Sequence, residues 1–356
     1  MKSVILERIK DGKYVLIAEI GVNYYDIAKE KDITPMEAAK LMIKEAKKAG
    51  IHAVKFQTYK AKKLAAKSSP YYWDIKEEPT KTQRELFEKF DSFGEKEYRE
   101  LSYYSNNLGI EFLSTAFDYK SADYLNGLMN VYKISSSDLN NLPFIEHQAK
   151  KNKPIILSTG ASNEEEIDFA VQTIRKVNDK EIILLHCILE YPTPYEHANL
   201  NRIVTLKNKY PNLIIGYSDH TKPDSDYSVI ITAYNLGAKV IEKHFTLNKE
   251  LKGNDHYHSM DVKDAKEIIK KLSFIDLIRG SYNLKYIESE EKARLNARRS
   301  IVSNGNIKKG TVITKEMITY KRPGTGISPT ETNNVIGKIS KMDIEDDTII
   351  TFDMFQ

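Results

Sequence analysis

Cysteine is almost absent from this sequence, in which Cys187 is the one cysteine among 356 residues. A single thiol cannot form an internal disulfide, and it cannot build a structural zinc site of the cysteine-rich kind. Disulfides belong mainly to secreted proteins, so their exclusion predicts a chain that works in a reducing cytoplasm.

Long hydrophobic runs and an excess of one charge are missing as well. No apolar run approaches the about 18–20 residues that a membrane span needs, and charged residues interrupt segment 1–8 too early for a secretory signal. The 54 basic and 50 acidic residues leave a net charge of only +4. We therefore expect neither a membrane nor a nucleic acid as a partner.

The first part of the chain alternates regularly between two kinds of segment. Short, β-branched apolar runs are each followed by a longer stretch with helical spacing, such as 35–49 and 164–177, the second opened by a capping box from Ser162 to Glu165. Apolar runs that alternate with helices are typical of parallel strands buried on both faces. The runs lie at residues 15–20, 53–58, 111–115, 131–136, 154–159, 182–187, 213–218 and 240–244.

Eight such repeats in about 240 residues predict an α/β fold of the (β/α)8, or TIM, barrel type. An open doubly wound sheet is the alternative. It is disfavoured because no Gly-rich dinucleotide or P-loop signature follows any of the runs.

The alternation of apolar and helical segments ends near residue 247. Residues 247–260 are polar, 262–279 have helical spacing, and 281–297 are charged. We therefore predict a barrel domain over 1–280, a linker over 281–297 and a small, mostly β domain over 298–356. Its strands are expected at 300–303, 310–313, 318–324, 335–338 and 348–350.

Polar residues cluster at the ends of the predicted barrel strands, where a (β/α)8 barrel carries its active site. Burying so many polar groups is costly without a ligand, unless they neutralise one another as structural ion pairs, which is the alternative interpretation. The cluster contains acids, lysines, hydroxyls and histidines, namely Glu19, Asn23, Lys55, Gln57, Thr115, Lys133, Ser136, Asp138, Ser158, Thr159, His186, Tyr191, Ser218, Asp219, His220, Glu242 and His244.

His220 and His244 end neighbouring strands and predict a metal site. Two imidazoles there can hold a divalent ion at about 2.0–2.2 Å, with water and substrate oxygens completing a Lewis-acid centre. His256 and His258, in the polar loop after the eighth strand, are weaker candidates, although that loop could reach the barrel mouth. Cys187 follows a histidine directly, so the two point to opposite faces of the strand, and we interpret it as a small core residue.

The strand-end segments, in their order, resemble the sialic acid synthase family, which includes N-acetylneuraminate and legionaminate synthases. The resemblance covers essentially the whole chain. It rests on segments 17–23 (IAEIGVN), 54–58 (VKFQT), 113–117 (LSTAF), 132–136 (YKISS), 157–160 (LSTG), 185–187 (LHC), 191–194 (YPTP), 216–221 (GYSDHT), 242–246 (EKHFT), 297–300 (ARRS) and 321–328 (KRPGTGIS).

The resemblance implies a transferase that joins phosphoenolpyruvate to an acylated amino-hexose of the N-acetylmannosamine or 2,4-diacetamido-trideoxy type. The products would be a nine-carbon 2-keto-3-deoxy acid and phosphate. A divalent ion on His220 and His244 would assist, Mn²⁺ foremost and Mg²⁺ or Co²⁺ as alternatives.

By the same resemblance, residues of this chain take the family's roles. Glu19, Lys55 and Lys133 match catalytic positions. Those matching phosphoenolpyruvate-binding positions are Lys55, Thr115, Lys133, Ser136, Ser158 and Ser218, and those matching positions that hold the sugar or the metal complex are Gln57, Tyr191, Glu242, Asp255 and Arg322.

The C-terminal segment resembles an antifreeze-like (SAF) domain. In the family this domain lies over the barrel of a dimer partner, so the resemblance implies a domain-swapped homodimer in which Arg322 reaches the sugar's acyl group.

Two departures from the family pattern leave the acceptor sugar open. Segment 135–138 reads SSSD where many relatives read GSGE, and Leu189 replaces an asparagine. Other functions therefore stay as alternatives: a phosphoenolpyruvate-dependent barrel synthase for another aldose or a phosphorylated hexosamine, and a catalytically silent sugar-binding protein.

Overall fold

The computed structural model describes residues 2–73, 75–76, 78–253 and 255–356. Within these ranges the chain divides into two compact units, with the boundary after Gly280. In the first unit, here the barrel unit, eight parallel strands close a barrel in sequence order, which confirms the predicted α/β barrel. The strands are β1 (Val15–Gly21), β2 (Ala53–Thr58), β3 (Glu111–Ala116), β4 (Tyr132–Ile134), β5 (Ile155–Ser158), β6 (Ile182–Cys187), β7 (Ile214–Asp219) and β8 (Val240–His244).

Helices connect these strands and cover the outside of the barrel. Their apolar faces and the outward-facing strand residues form one continuous core. The helices are α1 (Val4–Lys10), α2 (Tyr24–Lys31), α3 (Pro35–Lys48), α4 (Ala61–Leu64), α5 (Gln83–Glu88), α6 (Glu95–Leu108), α7 (Tyr119–Leu125), α8 (Leu142–Ala149), α9 (Glu164–Arg175), α10 (Asn201–Lys209), α11 (Ser228–Leu236) and α12 (Val262–Arg279).

Helix α9 begins at Glu164, as predicted, but its capping box lies one residue later than predicted. The side chain of Asn163 accepts a hydrogen bond from the backbone N–H of Glu166, and the Glu166 carboxylate accepts one from the N–H of Asn163. The capping box is therefore Asn163–Glu166, and the prediction of Ser162 with Glu165 is wrong. Both pairs have the required spacing, so the pattern alone did not distinguish them.

Helix α1 packs against the lower half of the barrel interior. Its Ile5 is fully buried in a cluster of inward-facing strand residues that includes Ile17 and Ile183. The carboxylate of Glu111, at the start of β3, accepts hydrogen bonds from the Ser3 hydroxyl (2.8 Å) and the Ile5 N–H (2.8 Å). This apolar packing leaves the carboxyl ends of the strands as the polar end of the barrel.

The second unit, here the C-terminal unit, has its own core, built around buried residues such as Ile301, Ile327 and Ile350. The strands predicted at 300–303 and 318–324 are present as β9 (Ser300–Ser303) and the shorter β10 (Ile318–Lys321), and they pair antiparallel. The strands expected at 310–313 and 348–350 form only isolated bridges. The strand expected at 335–338 is wrong, because helix α14 (Thr332–Val335) ends there and a positive-φ glycine follows at Gly337.

The charged segment 281–297 contains more structure than a plain linker. It includes a 3-10 turn (Glu288–Glu290) and helix α13 (Glu291–Ala297), and it groups with the C-terminal unit. The remaining 3-10 turns of the chain are Ser136–Asp138, Tyr195–His197, Lys315–Met317, Pro329–Glu331 and Phe352–Met354. Across the described residues, no helix combines the length and apolarity that crossing a bilayer requires.

His52 lies at the end of the α3–β2 connection and forms a hydrogen bond with β1. Its position predicts how the stability of the protein depends on pH. Burial, together with Arg8 and Lys47, lowers the pKa of His52 to about 3. Its Nδ1 accepts a hydrogen bond from the Leu16 N–H (2.9 Å), which requires an unprotonated nitrogen. Below pH 6.5 the unfolded chain binds a proton here that the folded chain does not, so acidification favours unfolding.

We expect the wild-type protein to lose about 1–2 kcal/mol of unfolding free energy, relative to His52→Asn, between pH 7 and pH 5. Asn retains an acceptor and does not titrate. Urea unfolding at the two pH values measures the difference, and an identical pH dependence in both proteins contradicts the assignment.

Candidate active site

Most of the polar residues predicted at the carboxyl ends of the strands converge on one end of the barrel, but His186 and Thr159 line a separate cavity beside helices α9 and α10. Strand pairing sets Glu19 of β1 beside Lys55 of β2 and His244 of β8, and sets Ser218 of β7 beside Glu242 of β8. Side chains along a strand alternate between the barrel interior and the helix layer, so these residues share the interior face. All five are buried.

Two lysines and two glutamates form a buried charge cluster in this mouth. Lys55 Nζ lies 2.6 Å from the Glu19 carboxylate and 3.9 Å from that of Glu242. Lys133 Nζ lies 3.6 Å from the same Glu242 oxygen. The second Glu242 oxygen has no hydrogen-bond partner among the described residues. The charges balance one another, yet they leave polar atoms available to a ligand.

The four residues of this charge cluster differ in proton affinity. Burial acts to lower the pKa of Lys55, but Glu19 and Glu242 outweigh it and raise that pKa. Burial acts to raise the pKa of Glu242, but Lys133 and Lys55 outweigh it and lower that pKa. For Glu19 burial prevails and raises the pKa, and for Lys133 burial lowers it. Glu19 is therefore the carboxylate of the cluster that most readily takes up a proton.

Four hydroxyl groups surround the two lysines. Lys55 Nζ donates to Thr115 Oγ1 (3.2 Å), and Ser218 donates to Glu242 (3.1 Å). Ser136 Oγ accepts from the Gly160 N–H (2.9 Å), while Ser158 Oγ has no partner among the described residues. Lysines and hydroxyls that converge in a buried pocket are the groups that bind a phosphate or carboxylate.

The mouth contains two adjoining cavities. The inner cavity is lined by the charge cluster, the four hydroxyls, Cys187 and Leu189. The outer cavity is lined partly by aromatic rings, and the two share Gln57, Tyr191 and His244. The outer lining comprises Val22, Asn23, Asp26, Gln57, Tyr59, Tyr72, Leu86, Phe87, Phe90, Tyr191, His244 and Asp255.

Of the residues predicted to hold the sugar, Gln57, Tyr191 and Asp255 line the outer cavity. Gln57 Nε2 also donates to Glu19 (2.9 Å), and burial next to Glu19 raises the pKa of Asp255 to about 6. Glu242 lies instead in the inner cavity, beside the lysines.

The two predicted metal ligands lie together. The ring centroids of His220 and His244 are 5.5 Å apart. Nδ1 of His220 donates to the Ile188 carbonyl oxygen (2.7 Å), which leaves Nε2 as the nitrogen with a lone pair. Nδ1 of His244 is buried and has no hydrogen-bond partner among the described residues. Such orphaned imidazole nitrogens fit a divalent cation.

Asp219, also a predicted strand-end residue, faces away from the cavities. Its carboxylate accepts from Lys243 Nζ (2.7 Å), and both side chains are buried. The same carboxylate accepts from the Thr221 N–H (2.9 Å). This pair joins the ends of β7 and β8, and it therefore positions His220 and His244 relative to each other.

Three features of the site escaped the sequence interpretation or were underrated by it. Cys187 is buried, as expected, but it lines the inner cavity, with Sγ 3.8 Å from His220 Nδ1. His256 and His258, in a loop that reads as polar, are fully buried. Phe87 and Phe90, lining the outer cavity, follow no strand end and gave no signal in the sequence.

Arg322 belongs to the C-terminal unit. Its side chain is exposed and follows β10, between Lys321 and a cis peptide bond to Pro323.

The chain is similar to known proteins along nearly its whole length. Residues 42–283 match the model of the NeuB family, and residues 298–356 match that of the SAF domain. An uncharacterized protein of Methanocaldococcus jannaschii is 41% identical over 98% of each chain. The N,N'-diacetyllegionaminic acid synthase of Legionella pneumophila is 35% identical over 95% of this chain and 93% of its own.

A solved structure shares the fold. The crystal structure of N-acetylneuraminic acid synthetase from Leptospira borgpetersenii superimposes with a TM-score of 0.68 and 32% identity. The match covers 79% of this chain and 90% of that one.

Gly160 lies close to Ser136, one of the predicted phosphoenolpyruvate ligands, so an added methyl group should disturb that ligand. A Cβ at this position would lie 2.9 Å from Ser136 Oγ and 3.2 Å from Cys187 Sγ. We expect Gly160→Ala to displace Ser136 and to weaken phosphoenolpyruvate binding about tenfold, without loss of folding.

Calorimetric titration with phosphoenolpyruvate measures this effect. Gly127→Ala is the matched control, because its Cβ would meet nothing closer than 4.0 Å. Unchanged affinity in Gly160→Ala contradicts the role of Ser136.

Proposed function

Because the chain belongs to the NeuB family and carries a SAF domain, we propose that it is a nonulosonic acid synthase. It condenses phosphoenolpyruvate with the aldehyde of an acylated amino-hexose, either N-acetylmannosamine-type or 2,4-diacetamido-trideoxy. The observation that carries the proposal is the pair of adjoining cavities, one lined by lysines and hydroxyls and the other partly by aromatic rings, which meet at Gln57, Tyr191 and His244.

The inner cavity suits phosphoenolpyruvate. This substrate carries about three negative charges, which need cations and hydroxyl donors where water is excluded. Lys55 and Lys133 supply the cations, and Thr115, Ser136, Ser158 and Ser218 supply hydroxyls. The unpartnered Ser158 hydroxyl is a donor already free to meet the ligand.

Glu19 supplies the acid–base function. Its carboxylate touches Lys55 (2.6 Å) and Gln57 (2.9 Å), so it stands where the two cavities meet. Burial raises the pKa of Glu19 above that of an ordinary carboxyl group, which suits a group that both gives and takes a proton in the reaction. As the enol carbon of phosphoenolpyruvate bonds to the aldehyde carbon, protonated Glu19 gives its proton to the aldehyde oxygen, which becomes a hydroxyl. Water then adds to the phosphate-bearing carbon, and Glu19 takes up one of its protons. The bond from that carbon to the bridging oxygen breaks, the phosphate leaves with this oxygen and with the proton of the new hydroxyl, and the carbon becomes the ketone.

The outer cavity suits the sugar. Tyr59, Tyr72 and Phe90 offer ring faces to its carbon skeleton, and Gln57 and Asp255 offer polar groups to its hydroxyls. A divalent ion on His220 and His244, Mn²⁺ or alternatively Mg²⁺ or Co²⁺, would polarise the aldehyde oxygen. Of the two acceptor types, the similarity to relatives named as N,N'-diacetyllegionaminic acid synthases supports the diacetamido sugar for this chain.

Phosphate release tests the proposal. With phosphoenolpyruvate, Mn²⁺ and one of three acceptors, we expect release with at least one of them: N-acetylmannosamine, its 6-phosphate or a 2,4-diacetamido-trideoxy hexose. Glu19→Gln should bind phosphoenolpyruvate but lose at least about 100-fold in rate, because the amide keeps the shape and loses the proton chemistry. Absence of release with all three contradicts the proposed reaction, and wild-type turnover in Glu19→Gln removes Glu19 from it.

The active site is completed by a second copy of the chain. Arg322 is exposed in the C-terminal unit and offers planar donors suited to an acyl carbonyl. Residues 281–287, before the 3-10 turn and helix α13, could span about 23 Å at about 3.3 Å per extended residue and so let the C-terminal unit reach toward a partner's barrel. We therefore expect a homodimer with sites shared between chains.

Mixed dimers test this arrangement. Arg322→Ala and Glu19→Gln subunits, each nearly inactive alone, should regain activity when mixed, because about half of the dimers then hold one intact site. The readout is phosphate release after exchange has been shown by native mass spectrometry. If the subunits exchange and no activity returns, the two residues do not meet across the dimer.

A further inference from the structure

The imidazole of His258 is buried without any hydrogen bond. The residue has no solvent exposure, and neither Nδ1 nor Nε2 has a hydrogen-bond partner among the described residues. A buried polar atom without a partner destabilises the folded state, and such atoms are rare in folded proteins. An imidazole with two of them requires an explanation.

His256 shows that the same loop can satisfy a buried imidazole. It lies two residues earlier and is equally buried. Its Nδ1 is 2.8 Å from the Thr246 hydroxyl, and its Nε2 is 3.3 Å from the Asp26 carboxylate. The lack of partners at His258 is therefore specific to that position and is not a general property of the loop.

The neighbours of His258 are metal-ligand side chains. Ligand atoms of His244, Asp255 and His258 all lie within 4.8 Å of one another. His244 Nδ1, itself unpartnered among the described residues, is 3.7 Å from the Asp255 carboxylate, and the His244 and His258 ring centroids are 4.8 Å apart. Ligands of one six-coordinate ion, with bonds of about 2.1 Å, lie about 3 Å apart when adjacent and about 4.2 Å when opposite. The 3.7 Å between His244 Nδ1 and Asp255 lies between these two values, and the other ligand atoms of the group lie within 4.8 Å.

We propose that His258 and Asp255 are ligands of the divalent cation, in addition to the His220 and His244 pair described above. This proposal rests on the proposed function, because it deepens the metal site of the same synthase. Three imidazoles and one carboxylate suit Mn²⁺ or Co²⁺ better than Mg²⁺, which prefers oxygen ligands. A six-coordinate ion held by these four side chains would have two positions left for substrate oxygens.

The test uses Mn²⁺ alone with the full-length protein and with His258→Phe, which keeps the ring's bulk and removes both nitrogens. We expect affinity for Mn²⁺, from electron paramagnetic resonance of the free ion, to fall at least about tenfold. We also expect pulsed resonance of ¹⁵N-histidine-labelled protein to show one fewer nitrogen coupled to bound Mn²⁺. The metal-free protein should unfold at an equal or higher temperature, because two unpartnered atoms are gone.

His256→Phe is the matched control in the same loop. Its nitrogens have partners, so we expect a lower unfolding temperature and an unchanged number of coupled nitrogens. Where the measurements disagree, the number of histidine nitrogens coupled to bound Mn²⁺ decides between the outcomes. One coupling lost in His258→Phe supports ligation by His258, and an unchanged count overturns it even if the affinity falls. No substrate is present, so a chain that releases no phosphate but loses the coupling fails only the synthase proposal.

Discussion

The site depends on burying two lysines and two glutamates together. Either lysine alone, inside an apolar barrel, would cost several kcal/mol of desolvation, and the pairing of Lys55 with Glu19 and of Lys133 with Glu242 offsets that cost. The same pairing creates a constraint on ligand binding. A multiply charged anion that enters the cavity upsets the balance, and the least costly way to restore it is to protonate a carboxylate. Glu19 has the raised pKa, so it is the carboxylate whose protonation an entering anion would favour.

A second ion pair, on the other face of the same strands, keeps this geometry in place. Asp219 and Lys243 each precede a histidine of the mouth, and alternation turns them outward while the histidines turn inward. Because the pair is buried and accepts additional hydrogen bonds from Thr221, the ends of β7 and β8 are rigidly related. Neighbouring strand ends thus carry one residue for structure and one for chemistry.

The periodicity of the sequence predicted the barrel because each strand is buried on both faces and each helix on one. Each element therefore has a hydrophobic pattern that can be recognised in its own segment of the sequence. The periodicity placed the strand-end residues at the mouth for the same reason. It failed where local patterns are equivalent or where tertiary contacts decide. Asn163 and Ser162 both offer a capping box, and only the backbone hydrogen bond to Glu166 distinguishes them. His258 lies in a polar loop whose burial arises from the packing of that loop over β8, a contact between Phe245 and Met260 that no window of sequence contains.

Several buried atoms without a hydrogen-bond partner among the described residues lie in this mouth: Ser158 Oγ, one oxygen of Glu242, and nitrogens of His244 and His258. Others lie elsewhere, such as both polar side-chain atoms of Gln148, whereas Glu111 at the opposite end of the barrel accepts from Ser3 and Ile5. The mouth differs because its unpartnered residues Ser158, Glu242 and His244 line a cavity, and unpaired groups are expected where a ligand completes the structure. The stability lost there in the empty protein is available as binding energy, so phosphoenolpyruvate and the cation should each stabilise the barrel when they bind.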